Sequence, residues 1–141
     1  MQFHSTPVNS AVKSFRVIER KLYPNIEQER TLENYRVQCG RIYNRTLEQR
    51  IKAYKRRGES VTLYEQQALL TEQRRRMPEL TEVPVEFERD ALRRVDKGFK
   101  AFFRRVKAGT KRKGFPRFKP SRRYRSMIWF GQVHHAKSSL A

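Results

Sequence analysis

Cysteine occurs once, at Cys39, so neither a disulfide framework nor a cysteine-rich zinc finger can form within the 141 residues. Long apolar runs are missing too. None approaches the roughly 18 residues of a membrane span, and the opening MQFHSTPVNS has no signal-peptide core. The chain therefore reads as soluble and intracellular, with no membrane partner. Acidic residues are scarce, 14 against 33 Lys and Arg, and they stop at Asp96. No glycine-rich phosphate loop and no HExxH pair is present.

A metal-dependent nuclease needs clustered carboxylates. Here they lie between Glu19 and Asp96, mostly on helical faces, and Glu86, Glu88 and Asp90 open a predicted helix, where they favour its dipole. His134 and His135 are adjacent, so they need not point the same way. Surface or tail residues are the plain reading of them, a metal pair the alternative. Cys39 falls on an apolar stripe and reads as a small buried hydrophobe rather than a nucleophile. No catalytic and no metal-ligating residue is assigned, and no catalysis is expected from this chain alone.

What is present is positive charge. The formal net charge of +19 calls for a polyanion, nucleic acid first and an acidic membrane second. An acidic protein is the more distant third. The charge is also lopsided, because 14 of the basic residues follow Asp96 with no carboxylate among them. An ordinary solvated surface intersperses both signs.

The apolar pattern organises the rest. SFRVIERKLY, from Ser14 to Tyr23, is rich in β-branched and aromatic residues and predicts a strand ended by Pro24. Asn25, with Gln28 three positions on, caps a helix whose stripe is Leu32, Tyr35, Cys39, Ile42, Tyr43, Leu47, Ile51 and Tyr54. Gly58 should stop it. TLYE, Thr62 to Glu65, is a capping box for a shorter helix with Leu63, Leu69, Leu70 and Met77, and PELTEVP reads as a linker. A third helix runs from about Val85 to Val106 on Leu92, Val95, Phe99, Phe102, Phe103 and Val106. Gly98 within it marks a close crossing or is merely tolerated.

Beyond it the helical period fails, and GTKRKGFPRFKPSRRYRSMIWF mixes turn residues, cations and aromatics before the strand-like YRSMIWF. The candidate nucleic-acid contacts are Lys111, Arg112, Lys113, Arg117, Lys119, Arg122, Arg123, Tyr124 and Arg125. Lys and Arg meet phosphates, Arg through a bidentate fork, and aromatics beside a basic groove can stack on unpaired bases. For Phe115 and Phe118 the reading favours anchoring against the protein over base stacking. Trp129 and Ile128 are expected in the core. A disordered polybasic tail is the bland alternative.

The blocks KLYPNIEQE, CGRIYNRTLEQR, ALRRVDKGFKAFFRR and KGFPRFKPSRR, in this order, resemble the N-terminal half of the transposon-encoded TnpB (OrfB) proteins, compact RNA-guided DNA nucleases related to type V CRISPR effectors. The matching positions are Tyr23, Pro24 and Gln28, then Cys39, Tyr43 and Asn44, then Gly114, Phe115, Pro116, Arg117, Phe118 and Lys119. The resemblance implies a β-barrel wedge strand at 13–24, a helical recognition lobe at 25–107, a basic connector at 108–123 and a returning wedge strand and tail at 124–141, after a flexible leader at 1–12. It also implies a prokaryotic, nucleoid-associated location and, as partners, structured guide-like RNA with double-stranded or displaced target DNA. The RuvC-like nuclease half of that family, with its Mg2+ and Zn2+, is absent from these residues. The chain is thus expected to be a fragment, a natural truncation or split subunit served by a separate RuvC-like chain, or a repurposed binding protein.

The expected fold is therefore α+β, a bundle of three amphipathic helices inserted between barrel strands. The expected function is nucleic-acid binding in an RNA-guided, TnpB-like system without cleavage by this chain. An RNA-independent DNA-binding regulator or transposon accessory protein is the alternative, and a ribosome-associated basic protein the third.

Overall fold

The computed structural model describes residues 14–129. The leader at 1–12, the tail after Trp129 and the pair His134 and His135 lie outside the described residues. Among the described residues four α-helices carry the fold: α1 Ile26–Arg57, α2 Leu63–Arg76, α3 Pro78–Thr81 and α4 Val85–Lys107.

Local chemistry sets their limits. Asn25 Oδ1 accepts the Gln28 N–H at 2.9 Å and Gln28 Oε1 accepts the Asn25 N–H at 3.0 Å, so two orphan donors at the start of α1 are satisfied reciprocally. Gly58 closes the helix at φ 63°, a left-handed conformation that glycine adopts without a Cβ penalty, and its N–H reaches Tyr54 O at 2.9 Å. Thr62 and Glu65 form the second capping box. The expected linker contains one extra turn, α3. Pro78 occupies its first position, where a missing N–H costs nothing.

α1 and α4 lie side by side and run parallel, since their meeting points advance together along both: Tyr35 with Phe87, Arg50 with Asp96, Tyr54 with Phe102. α2 returns between them. Gln66 near its start accepts from Arg50 at 2.6 Å and donates to Thr46 O at 3.1 Å, and Arg74 near its end reaches Glu88 at the start of α4. The core comprises Cys39, Ile42, Tyr43 and Leu47 of α1, Leu70 of α2, Leu80 of α3, Val83, and Ala91, Leu92, Val95, Phe99 and Phe102 of α4. Tyr124, far along the chain, completes it. The expected stripes hold for most positions of α1 and α4, but Leu32 of α1, Leu69 of α2 and Met77 are exposed.

The β part of the expected fold does not form among the described residues. Among the described residues no strand forms, so neither a sheet nor a barrel wedge exists. Ser14 to Tyr23 is without regular secondary structure, with Phe15 89% and Val17 92% exposed. β-branched residues favour an extended backbone, but a strand exists only when a neighbour supplies the ladder. Tyr124 to Trp129 forms no ladder either. Its fastenings are side-chain bonds from Arg36 to Tyr124 O at 3.0 Å and from Arg94 to Ser126 Oγ at 3.1 Å.

Burial explains Cys39. Desolvation, aided by the nearby Glu88 and Asp90 charges, pushes its thiol up to about 12. At pH 8 the native protein should therefore resist a disulfide reagent such as DTNB, and one equivalent of thiol should react once denaturant unfolds it. Rapid labelling of the native state would contradict this burial.

Candidate nucleic-acid interface

The basic segment is fastened to the α1–α4 face at successive points. Gly109 turns at φ 68°, the Thr110 N–H reaches Arg105 O at 3.2 Å, and Arg105 donates to Gly114 O at 3.0 Å. Phe115 then enters the aromatic cluster, 4.7 Å from the Phe102 centroid and edge-on to Tyr54 at 5.9 Å. Pro116 sits where a side chain on α4 would otherwise stand: a Cβ built at Gly98 would lie 3.0 Å from it. The glycine's role is thus a close approach of the connector, not of another helix.

The next fastening is a two-bond clasp. Asn44 Nδ2 donates to Lys119 O at 2.7 Å, and the Lys119 N–H donates to Asn44 Oδ1 at 2.8 Å. A carboxamide offers one donor and one acceptor side by side, so it mimics a peptide edge. One turn of 3-10 helix, Ser121–Arg123, follows. Arg36 donates to Ser121 O and Tyr124 O while pairing with Glu33. Tyr124, 1% exposed, closes the end. Its Cβ lies 3.3 Å from where a Cβ on Gly40 would be, and the Arg94 guanidinium stands 4.8 Å from its ring centroid. Burial pushes the Tyr124 hydroxyl's pKa well above its usual range.

This docking sorts the candidate residues. Lys111, Arg112, Lys113, Arg117, Arg122, Arg123 and Arg125 are exposed. Lys119 is half-buried, with Nζ 5.0 Å from the Tyr43 ring centroid. Tyr124 is a core residue and cannot reach a ligand. Of the aromatics, Phe115 is anchored as expected while Phe118 faces solvent. Trp129 and Ile128 are half exposed rather than core, Trp129 meeting Phe87 edge-on at 5.6 Å. Of the motif positions, Tyr23 is exposed, Gln28 caps α1, and Tyr43, Asn44, Phe115 and Pro116 build the docking face. The fasteners Arg36, Gly40, Arg94 and Arg105 carry no sequence signal, since each is an ordinary residue on a helical face.

Electrostatics separates the connector from the bundle. Many helical cations have carboxylate partners: Arg50 and Lys100 share Asp96, Arg74 takes Glu88 and Arg94 takes Asp90. Arg117, Lys119, Arg122, Arg123 and Arg125 pair with no carboxylate among the described residues. Among those residues no three His, Cys, Asp or Glu side chains converge as a metal group, and no helix is long and apolar enough to cross a membrane.

A family model described as a helix-turn-helix domain, that of OrfB from IS605, matches residues 16–59. Over those residues, less than half of the chain, the sequence is similar to the N-terminal region of the TnpB/OrfB transposon-associated proteins. No curated protein matches it. The helix-turn-helix description of the matched residues supports DNA binding. Within the matched residues the structure has a segment without regular structure and the single helix α1. The turn at Gly58 lies at their edge, and α2 begins beyond them at Leu63.

Proposed function

We propose that the chain is a nucleic-acid-binding module that holds structured guide-like RNA, with target DNA beside it, through the phosphate-facing cations of its docked connector. The observation that carries this is an acid-free cationic surface on a backbone pinned at Asn44, Gly98 and Arg36. Such a surface neutralises phosphates without first releasing internal partners, and its rigidity lowers the ordering cost of binding. Structured RNA would be held by phosphate and shape contacts, its unpaired bases left available. Cleavage is assigned to a RuvC-like component, together with its metals, and not to these residues.

The second reading is an RNA-independent DNA-binding protein, favoured by the helix-turn-helix description of the matched residues. Purification from the native host without nuclease treatment, followed by sequencing of bound RNA, separates the two. One discrete structured RNA supports the first; RNA-free protein with sequence-specific duplex binding sinks it in favour of the second.

Either reading makes the affinity salt-dependent. Replacing Arg112, Arg117 and Arg123 by Gln should lower the slope of log affinity against log salt by about 0.9 for each duplex phosphate no longer neutralised, or ~0.7 for each phosphate of a single strand. The change should be nearly uniform across sequences. An unchanged slope would move the phosphate-binding cations elsewhere on the protein.

A further inference from the structure

Phe118 presents its ring to solvent from a backbone that is held still. It is 53% exposed, and among the described residues no other ring packs on it. Its chain neighbour Lys119 is clasped on both backbone groups by Asn44. Pro116 is seated on Gly98, and Pro120 accepts the Arg123 N–H at 2.8 Å. Both prolines fix their own φ. The ring's exposure is therefore built into the docking, because Phe115 takes the apolar cluster and Phe118 is left on the outer side.

Around the ring is an open groove of ≈ 520 Å³ lined by Tyr43, Arg117, Phe118, Lys119, Arg123 and Arg125. It contains four cations and no acid. An apolar protein partner covering Phe118 would have to desolvate those cations without pairing them, which is costly. A nucleotide satisfies both components, since its base offers a flat π-face and its flanking phosphates offer charge. A base inside a duplex is already stacked on both faces and cannot lie on the ring. The groove therefore fits a base that is not paired.

We infer that Phe118 is a stacking platform for one unpaired base, with Arg117, Lys119, Arg123 and Arg125 holding the phosphates on either side. This rests on the nucleic-acid reading above and specifies which form of nucleic acid this part of the surface takes. RNA and displaced DNA strands share the chemistry, so the probes must tell them apart.

The test is fluorescence anisotropy with labelled oligo-U and oligo-dT of about ten nucleotides, a length within the usual span of single-strand sites, alongside a DNA duplex of mixed sequence. Phe118→Ala should weaken single-strand binding roughly tenfold and leave duplex binding within about twofold, whereas Phe118→Trp should restore the single-strand affinity. A strand carrying 2-aminopurine should change its fluorescence on the native protein and not on the alanine variant. Thermal melting of Phe118→Ala should stay close to that of the native protein, because the residue is half exposed and packs on no other ring among the described residues. A loss for oligo-U alone assigns the platform to RNA, and a loss for both assigns it to either strand. Equal single-strand affinity of the alanine variant and the native protein overturns the platform. So does native binding to duplex only, and in both cases the nucleic-acid reading stands. Native protein that binds none of the three probes overturns both.

Discussion

Arg74→Ala should destabilise the bundle by about 3–5 kcal/mol, the usual cost of removing one partner of a buried ion pair. Arg74 Nη1 donates to Leu80 O at 2.9 Å, Val83 O at 3.0 Å and Glu88 Oε2 at 2.6 Å. One guanidinium thus ties the end of α2, the α3 turn and the start of α4. Glu88 is fully buried, and burial raises its pKa while Arg74 opposes that rise. Without Arg74 only burial acts, so the carboxyl's pKa climbs further. A folded pKa raised above the unfolded value contributes stability that is fully present below the unfolded pKa and lost as pH rises through the folded one. The variant should therefore lie furthest below the native protein near neutrality and regain ground as pH falls towards the ordinary carboxylate range. Urea unfolding at several pH values measures this. The double variant Arg74→Met with Glu88→Leu should recover much of the loss, because no lone charge is left buried. An Arg74→Ala loss under about 1 kcal/mol, the value of a solvent-screened surface pair, would show that water reaches Glu88.

Tyr124→Ala should cost about 3–5 kcal/mol, as deleting a buried aromatic ring usually does. It should also weaken nucleic-acid binding, although the ring itself touches no ligand. The ring fills the space between Gly40, Tyr43 and Arg94, and losing it unlocks the connector from its far end. Limited trypsin digestion should then cut at Arg122 and Arg123 faster than in the native protein, while far-ultraviolet circular dichroism still reports the helices. Tyr124→Phe is the control. The Tyr124 hydroxyl is buried with no hydrogen-bond partner among the described residues, so removing it should be neutral or slightly stabilising. Slow, native-like cleavage of Tyr124→Ala would mean that Asn44 and Arg36 alone hold the connector.

The elements with local causes were legible in the sequence. Asn25 with Gln28, Thr62 with Glu65, and Gly58 each act within a few residues, and so they set helix ends without any knowledge of the fold. The apolar spacing of α4 picked out Leu92, Val95, Phe99 and Phe102 for the same reason. The two apolar segments expected as barrel strands show the limit of that reasoning. Extended conformation is a local preference, but a sheet is a property of two chain segments. Ser14 to Tyr23 and Tyr124 to Trp129 find no ladder partner among the described residues.

By itself, then, the sequence determined where the three longer helices begin and end, the central buried stripes of α1 and α4, and that the excess positive charge collects after Asp96. Those properties follow from neighbours in the chain. The tertiary structure alone decided that the basic segment lies on α1 and α4, that Tyr124 is core and that Phe118 is left outside. Asn44 and Lys119 are 75 residues apart, and no spacing rule connects a carboxamide on a helix to a distant peptide edge. Only when the helices have packed does the groove exist that chooses one phenylalanine and leaves the other to solvent.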